Sequence, residues 1–167
     1  VMQDIVSKGQ LNSFLIAICV ITGLMILVFS SFKIGLIAMI PNITPALAVG
    51  GLMGWMGVPL DLMTITIMPM LLGLAVDDTI HFINHAKLAF EQKRDYADAI
   101  RHTFSAIGIP LLFTSLILTA NFSVYLSSPS NALFYLGIFT GTGIMTALLT
   151  DYFVTPVLLR TLKAFGP

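Results

Sequence analysis

Five runs of about twenty mostly apolar residues fill most of this 167-residue chain. A bilayer core offers no water to backbone N–H and C=O groups, so a chain that crosses it must pair them internally. As helices, runs of this length match the hydrocarbon thickness. They are Leu11–Phe32, Ile34–Gly57, Leu62–Phe82, Ile107–Leu126 and Ala132–Thr155. Charged residues make up 10% of the chain, against about 25% in a typical soluble domain. A water-soluble fold is excluded, and the sequence predicts an all-α membrane protein with five transmembrane helices.

The long polar stretch lies between the third and fourth runs. There Phe90, Ala97, Ile100 and Phe104 recur at helical spacing opposite Glu91, Lys93, Arg94, Asp98 and Arg101. The pattern predicts an amphipathic helix over about 87–104 at the cytoplasmic membrane surface. Asp95, with Asp98 three residues on, is the expected N-cap of its second part. Short turns are expected at Val58–Asp61 and Ser127–Asn131.

Basic residues set the sidedness. With the N-terminus outside, Lys33, Lys87, Lys93, Arg94, Arg101, Arg160 and Lys163 fall in cytoplasmic segments and Lys8 alone outside. Cytoplasmic loops carry the Lys/Arg excess, so the C-terminus is expected inside. Trp55, Tyr125 and Tyr135 then fall near the outer interface. Residues 1–10 read as the end of a missing extracytoplasmic region, 11–162 as the transmembrane domain and 163–167 as a cytoplasmic tail. The chain starts at Val1 without signal-peptide features, which suggests a piece of a longer protein.

Chemistry concentrates in Gly73-Leu-Ala-Val-Asp77-Asp78-Thr79-Ile80-His81-Phe82. Two adjacent carboxylates lie in the third span, and Asp151 lies in the fifth. Each charged Asp near mid-bilayer costs about 2.5–3.5 kcal/mol. No Lys or Arg lies within a span to offset it. Low dielectric disfavours a carboxylate's charged form, the condition under which such an acid trades protons near neutral pH. Asp77, Asp78, Asp151 and His81 are therefore the candidate proton-relay residues. The plainer role for each Asp is a protonated group that hydrogen-bonds a neighbouring helix, and for His81 a simple hydrogen bond. His81 follows Asp77 by four residues and Asp78 by three, within reach of either. His85 continues the face towards the cytoplasmic interface. Asp77 and Asp151 lie at similar depth, roughly 7–11 Å from mid-span at 1.5 Å per residue.

Other features weigh less. Asp77, His81 and His85 have the i, i+4, i+8 spacing of a weak metal pattern, but no metal is expected. Cys19 is the single cysteine. Gly50-x-x-x-Gly54 and Gly137-x-x-x-Gly141 are small-residue pairs that let helices approach. Pro41 and Pro45 flank Asn42 and Thr44 in the second span, where they either break the helix or kink it passively. No Gly-rich phosphate loop with Lys is present and the net charge is zero, so neither an ATP site nor a nucleic-acid partner is expected. No enzyme chemistry is expected.

The Gly73–Asp78 run resembles the G-x-x-x-D-D signature of resistance–nodulation–division (RND) transporters. Its continuation through Thr79-Ile80-His81-Phe82 is similar to the D-[YD]-x-I-H form of the MMPL-type exporters and their Patched/Dispatched relatives. Gly54-Trp-Met-Gly57-Val-Pro59-Leu60, Ala106–Pro110 and Thr155-Pro156-Val-Leu-Leu159 agree with it. The resemblance implies half of a twelve-helix bundle, helices 2–6 or 8–12, with the short C-terminal tail favouring 8–12. It implies Asp77 and Asp78 as relay positions, the proton gradient as energy source with no cofactor, and a lipid or other hydrophobic substrate. It further implies a partner in the missing N-terminal half or a second copy, and the inner membrane of a bacterium or archaeon. Two departures stand out. Asp78 replaces the Tyr common in MMPL forms, and the intramembrane Lys of drug-efflux members has no counterpart here. The residues themselves serve sodium as well as protons. A sterol-sensing-like lipid sensor or scaffold, or a protein-export auxiliary subunit, would share the helix pattern.

Overall fold

The computed structural model describes residues 2–58 and 64–166, with side chains at residue 9 and from 12 onward. The turn expected at Pro59–Asp61 and the start of the third span at Leu62 lie outside the described residues. Among those described there is no strand, and five helical rods are long and apolar enough to cross a membrane: Asn12–Phe29, Phe32–Trp55, Thr64–Lys93, Tyr96–Ser127 and Asn131–Thr161.

The rods follow from local signals. α1 (Met2–Phe29) is succeeded within two residues by α2 (Phe32–Trp55). Ser30 turns the chain with a left-handed φ of 49°. Ser31 is extended, and its hydroxyl accepts from Ile34 N–H at 3.4 Å as the N-cap of α2, pairing one of the donors a helix start leaves free. The segment expected as an extracytoplasmic tail continues α1 as helix from Met2. Pro41 and Pro45 lie inside α2 without breaking it.

α3 (Ile67–Lys93) carries the carboxylate pair and runs well past the predicted end of the third span. The helix expected over 87–104 divides. Arg94, with φ 53°, closes α3, and Asp95 accepts from Ala97 N–H at 3.0 Å to open α4 (Tyr96–Thr103). Asp95 is thus the cap its spacing predicts. Two local caps override the continuous periodicity, so the amphipathic helix is the short α4, which leads directly into the fourth span.

α4 joins α5 (Ile109–Ser123) through a π-helical turn at Phe104–Gly108. α6 (Asn131–Leu149) joins α7 (Thr155–Thr161) through a second at Thr150–Val154. Each wide turn contains the residue four before a proline, Pro110 or Pro156. A proline has no N–H for the carbonyl of residue i−4 and its ring collides with that carbonyl; a π turn relieves both by moving the register. The Tyr152 hydroxyl in the second wide turn donates to the Gly108 carbonyl in the first. An edge-to-face chain Phe82–Phe104–Tyr152, with centroids 5.2 Å apart at each step, packs α3 against both.

α2, α3 and α6 pack together as the centre, with α1 against α2 and α5 against α6. Exposed apolar side chains such as Leu24 and Leu27 on α1 and Ile117 on α5 are what a lipid solvent accepts.

In each of the two small-residue pairs one glycine is a close approach: Gly50 faces the tip of the Met68 side chain, and Gly137 faces backbone. A Cβ there would lie 2.8 Å from the Phe122 carbonyl oxygen and 3.0 Å from Tyr125 Cβ, whereas Gly54 has nothing within 4 Å. Gly35 is a second contact of this kind, facing the Ile26 backbone at 2.9 Å, and no spacing rule marks it. Gly137→Ala is expected to destabilise the bundle by about 1–3 kcal/mol through overpacking, and Gly54→Ala to leave it unchanged or slightly firmer. Thermal unfolding of both variants in one detergent checks the contrast.

Candidate functional site

α3 presents the candidate residues on different faces because successive helix positions turn by about 100°. Thr79 faces inward and is buried. Asp78 is half-buried, while Asp77 and His81 point away from the centre. Asp77 Oδ1 lies 3.7 Å from His81 Nε2, beyond hydrogen-bond length but close enough for charge to be felt. The side chains are 79% and 64% exposed, so this ionisable pair lies on an open face of a membrane-length helix. His85, one turn on, is half-buried.

Two clefts meet at the carboxylates. The larger, of about 390 Å³, has apolar walls including Leu71, Leu74, Ile117, Leu118 and Ile144, with Asp77, Asp78 and Thr114 at its edge. A second, of about 260 Å³, contains the same three residues with His81, Ile107 and Pro110. Asp77, Asp78 and Thr114 thus stand at the boundary between an oily cleft and one that opens past His81. Among the described residues, no three of His, Cys, Asp and Glu converge as metal ligands would.

Asp151 lies on the other side of α3, at 2% exposure. Its Oδ1 accepts from Thr155 Oγ1 at 2.9 Å, one helical turn along its own rod. Thr79 Oγ1 lies 2.8 Å from that same oxygen and 2.7 Å from Asn42 Oδ1. A chain Asn42–Thr79–Asp151 therefore crosses α2, α3 and the wide turn after α6. The third and fifth spans, placed at equal depth by counting, are adjacent here.

A hydroxyl has one hydrogen, so Thr79 donates to only one of its two neighbours. If Asp151 holds a proton, its O–H donates to Thr79, and Thr79 donates to Asn42 Oδ1. If Asp151 is ionised, Thr79 donates to the carboxylate and Asn42 must present Nδ2 instead. The ends of an amide exchange by a half-turn of the side chain. With Oδ1 towards Thr79, Asn42 Nδ2 is buried without a partner, a costly state for a donor. One proton on Asp151 thus sets the direction of every bond in the chain and the orientation of Asn42 on α2.

Asn42, Thr79 and Thr155 were not singled out as site residues from sequence. Thr155 carried a usable signal, standing four residues after Asp151. Thr79→Val keeps the shape but strands both polar partners, and is expected to cost about 1–3 kcal/mol. Thr79→Ser retains the hydroxyl and is expected to cost less. Because the members share one network, Thr79→Val combined with Asn42→Leu should destabilise less than the two singles added; chemical unfolding of the four proteins in micelles measures this.

A family profile described as the sterol-sensing domain of SREBP cleavage-activation matches residues 27–160. No curated protein and no solved structure matches the chain. The family is related to Patched, Dispatched and the RND-type proteins. The match begins at the end of α1 and takes in every helix that supplies a residue to the clefts or the buried polar chain. The chain belongs to the sterol-sensing domain family.

Proposed function

We propose that the chain is the transmembrane portion of an RND-type exporter of the MMPL kind, driven by the proton motive force and moving lipids or other hydrophobic compounds. The observation that carries this reading is the placement of Asp77 and Asp78 on α3 where the two clefts meet, with Asp151 on the far side of α3, in the turn that follows α6. Protons exchange at Asp77 and Asp78 with His81 beside them. Asp151 converts its own proton occupancy into the orientation of Asn42 on a different helix. The energy source is an ion gradient and no cofactor takes part.

The exposed Asp77 and His81 bear on the assembly. An ionisable pair turned towards hydrocarbon is costly, so in the working protein this face is covered by another helical block, either an N-terminal half or a second copy. The chain then supplies helices 2–6 or 8–12 of a twelve-helix bundle in a bacterial or archaeal inner membrane. Its basic end, with Lys33, Lys87 and Arg94, faces the cytoplasm.

A lipid sensor or scaffold is the second reading, favoured by the apolar walls of the larger cleft and by the family. The two readings differ in whether protons move. Full-length protein in proteoliposomes with an internal pH dye is expected to acidify the lumen in step with export. Asp77→Asn and Asp78→Asn are expected to lower that flux at least tenfold at unchanged insertion. A full-length protein that moves no protons, or an Asp77→Asn variant that exports normally, overturns the exporter reading.

A further inference from the structure

A second polar cavity, of about 340 Å³, lies at the basic end of the bundle, away from the carboxylates. Three separate stretches of chain build it: the α1–α2 reversal, the last turns of α3 and the C-terminal segment. The C-terminal segment is fastened there. Lys33 Nζ donates to the Lys163 carbonyl at 2.9 Å, and the Tyr96 hydroxyl donates to the Gly166 carbonyl at 2.8 Å while accepting from Phe165 N–H at 3.0 Å. Phe90 packs between Tyr96 and Phe165, at 4.3 and 5.6 Å, as an aromatic wall.

The polar lining is Lys87, Arg94, Glu91, Ser30 and Ser31. Lys33 is engaged by a carbonyl, but Lys87 and Arg94 are not in an ion pair. Among the described residues those pairs are His81–Asp77 and Lys93–Asp98. Two cations against one carboxylate leave a net charge of +1. Ser30 and Arg94 hold left-handed φ values of 49° and 53°, where glycine would be free of strain; side chains are kept at both positions, and both line the cavity.

We propose that this cavity binds the monoanionic phosphodiester headgroup of a membrane lipid. One phosphodiester charge balances the net +1, with Lys87 and Arg94 on the phosphate oxygens and the Ser31 hydroxyl, which accepts from Ile34 N–H, donating to it. Glu91 accepts from the hydroxyls of a glycerol-type head. Basic pockets between helices at the membrane surface take anionic headgroups by this chemistry. A lipid rather than a free phosphate is favoured by the exposed apolar residues at the rim. Phe32, Leu36 and Ile40, spaced one turn apart, run along α2 from Ser31, and Leu88 stands next to Lys87. Acyl chains would lie along them, and a free ion would gain nothing from them.

The test titrates the full-length protein in nonionic micelles with short-chain phosphatidylglycerol, phosphatidylcholine or inorganic phosphate, with binding read by native mass spectrometry. Phosphatidylglycerol is expected to bind about tenfold more tightly than phosphatidylcholine. Lys87→Gln and Arg94→Gly are each expected to weaken it about fivefold, while Lys93→Gln, outside the cavity and paired with Asp98, leaves it unchanged. Arg94→Gly suits its backbone better than arginine does, so lost binding there is not lost folding. Equal affinity for the two lipids, or affinity unaltered in both cavity variants, overturns the proposal. Inorganic phosphate that displaces phosphatidylglycerol at equal concentration overturns the lipid assignment in favour of a free-anion site.

Discussion

The three central helices meet at one hydroxyl group. Thr79 on α3 lies within hydrogen-bond distance of Asn42 on α2 and of Asp151 beyond α6, and all three are buried. In a lipid solvent helices gain nothing from merely hiding apolar surface from one another, so close packing and polar contacts hold them together. Around Thr79 both operate, since the surrounding core is apolar and the polar atoms have few alternative partners. The rest of the arrangement depends on that junction, because it fixes which face of α3 turns inward and so leaves Asp77 and Asp78 beside the clefts.

The sequence reveals most of this fold through span length. Twenty apolar residues have one cheap conformation in hydrocarbon, and the caps at Ser31 and Asp95 are local enough to act without tertiary help. What span length does not reveal is facing. Asp77, Asp78 and Thr79 are consecutive, so composition alone leaves open which of them turns to the core; packing against α2 and α6 decides for Thr79. Nor does a small-residue pair show which of its members makes the contact. Gly137 is pressed against a carbonyl, whereas Gly54, which shares its motif with Gly50, has no neighbour within 4 Å among the described residues. The polar stretch misleads for a related reason, because one helical period runs through Arg94 and Asp95 although the backbone turns there.

The bundle of this sterol-sensing domain family member has two mainly apolar clefts that share one wall. The larger is walled by aliphatic side chains and the smaller reaches His81, with the carboxylates between them. Asp77 and Asp78 are the charged groups common to both clefts.

The wide turn at Thr150–Val154 bears on how Asp151 comes to face α3 at all. A π turn is an inserted residue absorbed without breaking the rod, and the insertion is free to slide by one position if its neighbours permit. Sliding it past Asp151 would swing that carboxylate about a quarter-turn around its axis and withdraw it from Thr79. The bond from Tyr152 to Gly108 works as a detent on that travel and joins it to the matching insertion in the fourth span.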